Sequence, residues 1–326
     1  MLFNKKFVIF DKIFKIVLVF AVYIVYNYKR RRFFYPRRLI VTQEVIILAA
    51  DMHCHTNRSD GSDSPEYVIR LARQLGLSAL AITDHDTYAA DCDAEGLGKK
   101  LGIRVINGVE CSTFDHVRGH KVHILCYNIK HRDAVDELLA TITRNRTEAT
   151  LRMLEKVSRL YPITEEMVME NVSDSGFIGK QHISLALMKA GYSSEMYGDL
   201  YRTLFNRRTG SCHVPVRQVD SLEAMKYLRE SGGVIVMAHP SVYNSITTMS
   251  DLIHAGIHGI EIHHPRNTQE HKAIIRQAAA DNGLLLTGGT DFHGYFSEEI
   301  QRHPLGSYTT SDEMLARFDE LSAKLN

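Results

Sequence analysis

The residues able to do chemistry in this chain are histidines and carboxylates set at short spacings along 240 residues of sequence. His53 and His55 are separated by one residue, and Asp60 follows in RSDG. Asp84, His85 and Asp86 are consecutive, Glu110 and His123 stand alone, and His239 lies in MAHP. Glu261 and His263 are two apart, as are Asp291 and His293. Imidazole and carboxylate donors without thiolates suit Zn²⁺, Mn²⁺ or Fe²⁺. In an extended segment side chains alternate, so His53 and His55 share a side and Cys54 faces the packing. The donors outnumber the ligands of one ion, so two or three ions are expected. Clustered divalent ions activate water and clamp the oxygens of a displacement at phosphorus. A single histidine is ordinarily structural. Many polar groups brought together with no partner would be costly to bury, and that favours a metal cluster over packing.

The elements that must position these donors alternate. Apolar strand-like runs at 45–52, 77–86, 104–110, 122–127, 234–238, 259–263 and 284–290 each carry one or more of them or are followed directly by one. Helical patterns lie between. One has Ser64 as N-cap, Pro65 in the first turn and Gly76 beyond its end; another opens on the Asp220/Glu223 pair; a third covers 269–281. Repeated β-then-α units predict an α/β barrel of parallel strands whose C-terminal rim gathers the donors. Residues 131–206 break the pattern with one long helix (134–160) and shorter ones around 165–170, 181–190 and 195–205. They are read as a helical insertion capping one end. The expected organisation is an extension at 1–44, a barrel from 45–130 and 207–326, and the cap between. His116, His131, His254, His258, His271 and His303 lack the strand-end placement and are expected on the surface.

Composition narrows the class. With 326 residues, 44% hydrophobic and 24% charged, the chain is ordinary globular material, not disordered or collagen-like. Five cysteines without C-x-x-C argue against a disulfide framework and for a reducing, cytoplasmic setting. Residues 1–50 hold ten Lys/Arg and two acids, so an overall charge of +1 leaves the rest at −7, with all 17 His. An acidic, His-rich body suits cations rather than a broad nucleic-acid surface. At 16–26 eleven apolar residues precede KRRRFFYPRR, too short for a full span and lacking a cleavage site. A signal anchor, a peripheral basic-aromatic segment and an appendage from an early start site remain open. Membrane tethering through residues 7–28 is therefore the alternative localisation, and membrane contact is expected only if that segment is real. There is no G-x-S-x-G and no G-x-x-x-x-G-K-[ST], so neither a serine hydrolase nor a P-loop nucleotidase is expected.

Seven pieces, DMHCHTNRSDGSDSPEYV, ALAITDHDT, INGVECS, HKVHILCYN, GGVIVMAHP, GIEIHHP and GGTDFHG, together resemble the PHP family, named for polymerase and histidinol phosphatase. The resemblance runs from about Asp51 to the end. It is nearest the stand-alone branch that includes 3′,5′-nucleoside bisphosphate phosphatases, a 5′-to-3′ exoribonuclease, AMP phosphatases and cyclic-phosphate hydrolases. It implies a distorted (β/α)7 barrel with a helical insertion. It also implies three metal positions: His53, His55, Glu110 and Asp291; Asp60, His85 and His293; and Glu110 as a bridge with His123 and His239. GKQHISLAL and NRRTG resemble the branch's basic segments, so Lys180, His182, Arg207 and Arg208 are candidate phosphate contacts. Lys180 stands where relatives often have Arg, which weakens bidentate recognition.

The expected activity is metal-dependent phosphoester hydrolysis, with two or three divalent ions, Mn²⁺ foremost, and a hydroxide between them attacking phosphorus. Asp84 and Asp86 would orient ligands, and Asp86 or His263 would serve as acid. A 3′,5′-nucleoside bisphosphate or the 5′ end of a short single-stranded RNA is the leading substrate, with cyclic phosphates and AMP next and histidinol phosphate third. No stable nucleic-acid complex is expected. The alternative from another class is a non-catalytic metal-binding module, which the complete donor set disfavours.

Overall fold

The computed structural model describes residues 50–88, 93–172, 178–294 and 303–325. Its centre is a six-stranded sheet in sequence order: β1 (Ala79–Ile82), β2 (Arg104–Asp115), β3 (His120–Tyr127), β4 (Val234–Met237), β5 (Gly259–His263) and β6 (Leu285–Gly288). The pairs β1–β2, β4–β5 and β5–β6 are parallel. β3 runs antiparallel to both neighbours, which departs from the all-parallel expectation. The cause is connection length. Only residues 116–119 join β2 to β3, whereas a parallel crossover needs a dozen residues or more.

The first apolar run is strand-like only in part. Residues 45–49 lie outside the described residues, and 50–55 form isolated bridges to both edges of the sheet. Asp51 N donates to Ala79 O on β1 (3.2 Å), and Met52 N donates to Gly288 O on β6 (3.1 Å).

Period-two alternation builds two apolar layers. Val234, Val236 and Ala238 join Leu125, Tyr127, Ile106 and Met52 on one face. Ile235 and Met237 join Ile124, Cys126, Val109 and Ile260 on the other, beneath helices. The buried Tyr127 hydroxyl donates to Met52 O (2.8 Å), as a buried phenol must.

The described residues hold α1 (Pro65–Gln74), α2 (Ala94–Leu101), α3 (Arg132–Ser158), α4 (Glu165–Met169), α5 (Lys180–Lys189), α6 (Asp199–Phe205), α7 (Ser221–Glu230), α8 (Met249–Ala255), α9 (Gln269–Asn282) and α10 (Asp312–Lys324). Ser64 Oγ accepts from Tyr67 N at the start of α1, with Pro65 in its first turn. Asp220 accepts from Leu222 N and Glu223 N at the start of α7. Helix α3 begins and ends two residues before the expected bounds. Its first half packs Val135, Leu138, Leu139 and Ile142 on the sheet's outer layer. Its second half joins α4–α6 in a separate cluster around Met153, Val157, Ile183, Leu187 and Phe205. No described helix is long and apolar enough to cross a membrane. Residues 7–28 lie outside the described residues.

Candidate metal centre

The sheet's inner face changes character along the strands. On β2 the alternation that buries Ile106 brings Glu110 to the same face; on β3 it brings His123 to the face of Leu125 and Tyr127. His239 follows β4, and Glu261 lies in β5. Segment 50–55 contributes His53 and His55, while the Cys54 thiol turns away to donate to Ala81 O (3.0 Å). All these side chains are buried.

Glu110 is the hub. Its Oε1 lies 2.9 Å from His123 Nδ1 and 2.8 Å from His239 Nε2. Its Oε2 lies 3.1 Å from His85 Nδ1, 3.2 Å from His55 Nε2 and 3.4 Å from His53 Nε2. Asp291 Oδ1 approaches His55 Nε2 at 3.1 Å, and Asp60 Oδ1 approaches His293 Nε2 at 3.2 Å. The structure thus brings together all nine residues proposed as ligands. Three overlapping groups have donor atoms within 4.8 Å of one another: His53, His55, Glu110 and Asp291; His55, Asp60, His85 and His293; and His85, Glu110 and His123. The first is the expected set. The second gains His55. In the third His85 stands where His239 was expected, although His239 also touches Glu110.

These residues fit divalent ions. His53 Nε2 and His55 Nε2 face each other at 3.2 Å. Glu110 Oε2, although three imidazole nitrogens lie within 3.4 Å, makes no well-formed hydrogen bond, and neither do the buried His55 Nδ1 and His239 Nδ1, a costly state that a cation relieves. The electrostatics agree. Burial opposes charge on His55, yet Asp291 and Glu110 hold its pKa up to about 10. Burial also opposes charge on His53 and His293, yet neighbouring carboxylates raise both. Burial pushes His85 down to about 3, a neutral donor. Burial resists charge on Glu110, Asp60 and Asp291, but the surrounding imidazoles hold all three carboxyls well below the usual range.

The residues expected to orient or protonate fall in different places. Asp84 accepts from Thr56 N, Thr56 Oγ1 and Ser59 Oγ, each at 2.7 Å, and so pins the loop between His55 and Asp60. Asp86 accepts from Ser112 N (2.7 Å) and from Arg146 Nη1, an ion pair. His263 is exposed, and its neighbour His264 is buried with Nε2 3.4 Å from Asp291 Oδ2. The physical reason is a register shift between Glu261 and His263 against β6, which breaks the alternation that would have kept them on one face. Glu261 itself meets His53 Nδ1 at 3.1 Å and accepts from His239 N at 2.8 Å.

One cavity of about 1670 Å³ opens on this cluster. His85, His123 and Asp291 line it, and so do Lys121, Arg146, Lys180 and Arg207. Burial, then Arg146 and Lys180 beside it, push Lys121 down to about 8; burial, then Arg146, lower Lys180. Lys180 Nζ lies 5.6 Å from the Tyr201 ring centroid, and the Arg207 guanidinium lies 5.2 Å from that of Phe114. His182 is buried behind this wall, its Nδ1 accepting from Gly179 N at the start of α5 (3.1 Å). Arg208 is exposed and does not line the cavity. Among the histidines expected on the surface, His131 and His254 are exposed, His258 accepts from Ile235 N, and His116 and His303 line the cavity.

Sequence reasoning missed Arg146, Lys121 and His264. Arg146 had a signal: it lies on the buried stripe of α3, four residues after Ile142 and three before Ala149, where a charge needs a partner.

A buried nest of histidines and carboxylates beside a cavity lined by Lys and Arg suits a metal-dependent phosphoesterase, and the comparisons with known proteins agree. A PHP domain matches residues 51–207. The chain is 37% identical over 248 residues to the phosphoribosyl 1,2-cyclic phosphate 1,2-diphosphodiesterase of Eggerthella lenta, covering 76% of this chain and 94% of that protein. It is 29% identical to the Escherichia coli 5′-3′ exoribonuclease Rnm (74% and 84% covered) and 27% identical to the Chromobacterium violaceum 3′,5′-nucleoside bisphosphate phosphatase (74% and 86%). A solved structure from Bifidobacterium adolescentis, assigned as a metal-dependent phosphoesterase, superposes with a TM-score of 0.76 at 28% identity, covering 83% of this chain and 96% of that one. The chain belongs to the PHP family. It is a phosphoric ester hydrolase.

Proposed function

We propose that this enzyme hydrolyses a phosphate ester on a small nucleotide or sugar phosphate that carries a second phosphate. A 3′,5′-nucleoside bisphosphate is the leading substrate, and the 5′ end of a short RNA follows. The observation that carries this reading is a cavity lined both by candidate metal ligands and by Lys121, Arg146, Lys180 and Arg207. A candidate metal cluster beside a group of cationic side chains suits two anionic groups on one ligand; the pKa values of Lys121 and Lys180 are lowered first by burial and then by neighbouring cations, a repulsion that an anion would relieve. A cyclic-phosphate diester is the second reading, favoured by the 37% identity to a cyclic-phosphate diesterase.

The nine residues His53, His55, Asp60, His85, Glu110, His123, His239, Asp291 and His293 would hold two or three divalent ions, Mn²⁺ foremost. Bound there, such ions polarise phosphoryl oxygens and lower the pKa of water. Asp86 holds Arg146 by its ion pair and thereby fixes a guanidinium toward the cavity. Lys180 and Arg207, each over an aromatic ring, take the more distant anion. Asp84 keeps the loop bearing Asp60 in place. His264 orients Asp291 through Oδ2, leaving Oδ1 to His55.

We read segment 50–55 as the seventh stave of a distorted (β/α)7 barrel, with 131–206 as a cap that restricts entry to small or single-stranded ligands. Residues 1–44 lie outside the described residues. The four described cysteines, all free and buried, fit a cytoplasmic enzyme.

The test is a panel with Mn²⁺: adenosine 3′,5′-bisphosphate, AMP, phosphoribosyl 1,2-cyclic phosphate, 5′-phosphorylated short RNA and histidinol phosphate. The proposal expects the highest kcat/KM on a ligand with two phosphates. Preference for a monophosphate such as AMP or histidinol phosphate would overturn it.

A further inference from the structure

Backbone conformation marks one residue that the metal chemistry leaves unassigned. Six non-glycine residues among those described have positive φ: Asp86 (52°), Asn128 (49°), His239 (24°), Tyr243 (61°), Asn244 (60°) and Asp291 (54°). Such conformations persist where surrounding structure imposes them, and they concentrate at functional sites. Asp86, His239 and Asp291 belong to the site already described. Asparagine enters this region more readily than most residues, which leaves Tyr243 as the bulky side chain held there.

The strain is imposed by buried neighbours. Pro240 O accepts from Ile246 N (2.7 Å) and from Ser245 Oγ (3.2 Å), and Val242 N donates to His239 O (2.8 Å). Val242 and Ser245 are buried, so the turn is anchored on both sides of Tyr243. Tyr243 is nevertheless 44% exposed. Packing does not explain a strained aromatic that is not buried. Its ring centroid lies 5.3 Å from that of His123 and 5.2 Å from Lys121 Nζ. It lines the same cavity as Tyr197 and Tyr201, which come from the helical segment. At about 1670 Å³ that cavity is larger than a ribose phosphate needs.

We propose that Tyr243 is a positioning residue whose ring stacks on the planar base of a nucleotide while the phosphate lies at the metal cluster. This deepens the function proposed above and rests on its nucleotide reading. It separates a nucleotide enzyme from one acting on a base-free sugar phosphate.

The experiment measures binding of non-hydrolysable phosphonate analogues of AMP and of ribose 5-phosphate to the Mn²⁺-loaded full chain by calorimetry. The wild type is expected to prefer the base-bearing analogue, and Tyr243→Ala to reduce that preference about tenfold, as loss of one base–aromatic stack implies. Tyr243→Phe keeps the ring and should recover most of the preference. Tyr192→Ala, an exposed tyrosine outside the cavity lining, should leave it unchanged. No preference in the wild type, an unchanged preference in Tyr243→Ala, or equal weakening of both analogues with loss of bound metal would overturn the proposal. Hydrolysis is assayed separately, so failed turnover on the substrate panel counts against the proposed function and not against this binding role.

Discussion

Replacing Arg146 by Met tests whether the ion pair with Asp86 ties the helical segment to the site. The Asp86 side chain is 0% exposed and that of Arg146 is 22% exposed. Breaking a buried pair from one side costs about 3–5 kcal/mol, because the remaining charge is left uncompensated. Two features reduce this. Arg146 is partly solvated, and Asp86 retains the bond from Ser112 N. The expected loss is therefore about 2–3 kcal/mol, which for a domain of this size lowers Tm by roughly 3–5 °C. The double variant Asp86→Asn/Arg146→Met removes both charges and should recover about half of the loss. The assay is denaturant and thermal unfolding of the four proteins in a double-mutant cycle, with KM for the bisphosphate measured alongside. Arg146→Met should raise KM about tenfold through the lost charge-assisted contact. A stability loss under about 0.5 kcal/mol, or strict additivity in the cycle, would refute the reasoning, because a coupled buried pair cannot behave so.

Metal loading should release protons. His53, His55 and His293 are held protonated in the metal-free cluster by nearby carboxylates and must give up a proton to coordinate, so Mn²⁺ affinity should rise with pH toward about 10. Calorimetry in buffers of different ionisation enthalpy checks this, and pH-independent affinity would contradict it. Glu110→Gln removes the charge facing five imidazoles and should lower metal stoichiometry by at least one ion per chain, with kcat falling about a hundredfold or more. Metal analysis and single-substrate kinetics on the purified variant read both. His264→Ala should cost about 10–100-fold in activity as a partner of Asp291, while His263→Ala stays within about twofold; the reverse order would contradict the outward turn of His263 at the β5 register shift. A chelator should abolish activity and lower Tm, and added Mn²⁺ should restore both.

The cluster of histidines and carboxylates was readable in sequence because its signals are local. Candidate metal donors of fixed chemistry sat in or beside apolar runs that alternation and capping residues delimited: His53 and His55 around Cys54, Glu110 near the end of an apolar run, Asp291 and His293 after another. Side-chain periods of two and 3.6 follow from backbone geometry, so the positions of β1–β6 and the caps at Ser64 and Asp220 needed no tertiary information, whereas the run at 45–52 did not give a regular strand. What the sequence could not decide depended on how segments meet. The β2–β3 turn reversed β3 through its short connection, and a one-residue register shift turned His263 outward and brought His264 to Asp291. Arg146 found its counter-charge 60 residues away in Asp86. Lys121 and Tyr243 became cavity walls only when β3 and the turn after β4 were side by side. Local periodicity determines which face a residue joins. Which faces then share a cavity, and which charges pair across it, is settled by long-range packing, for which no single stretch of chain carries the signal.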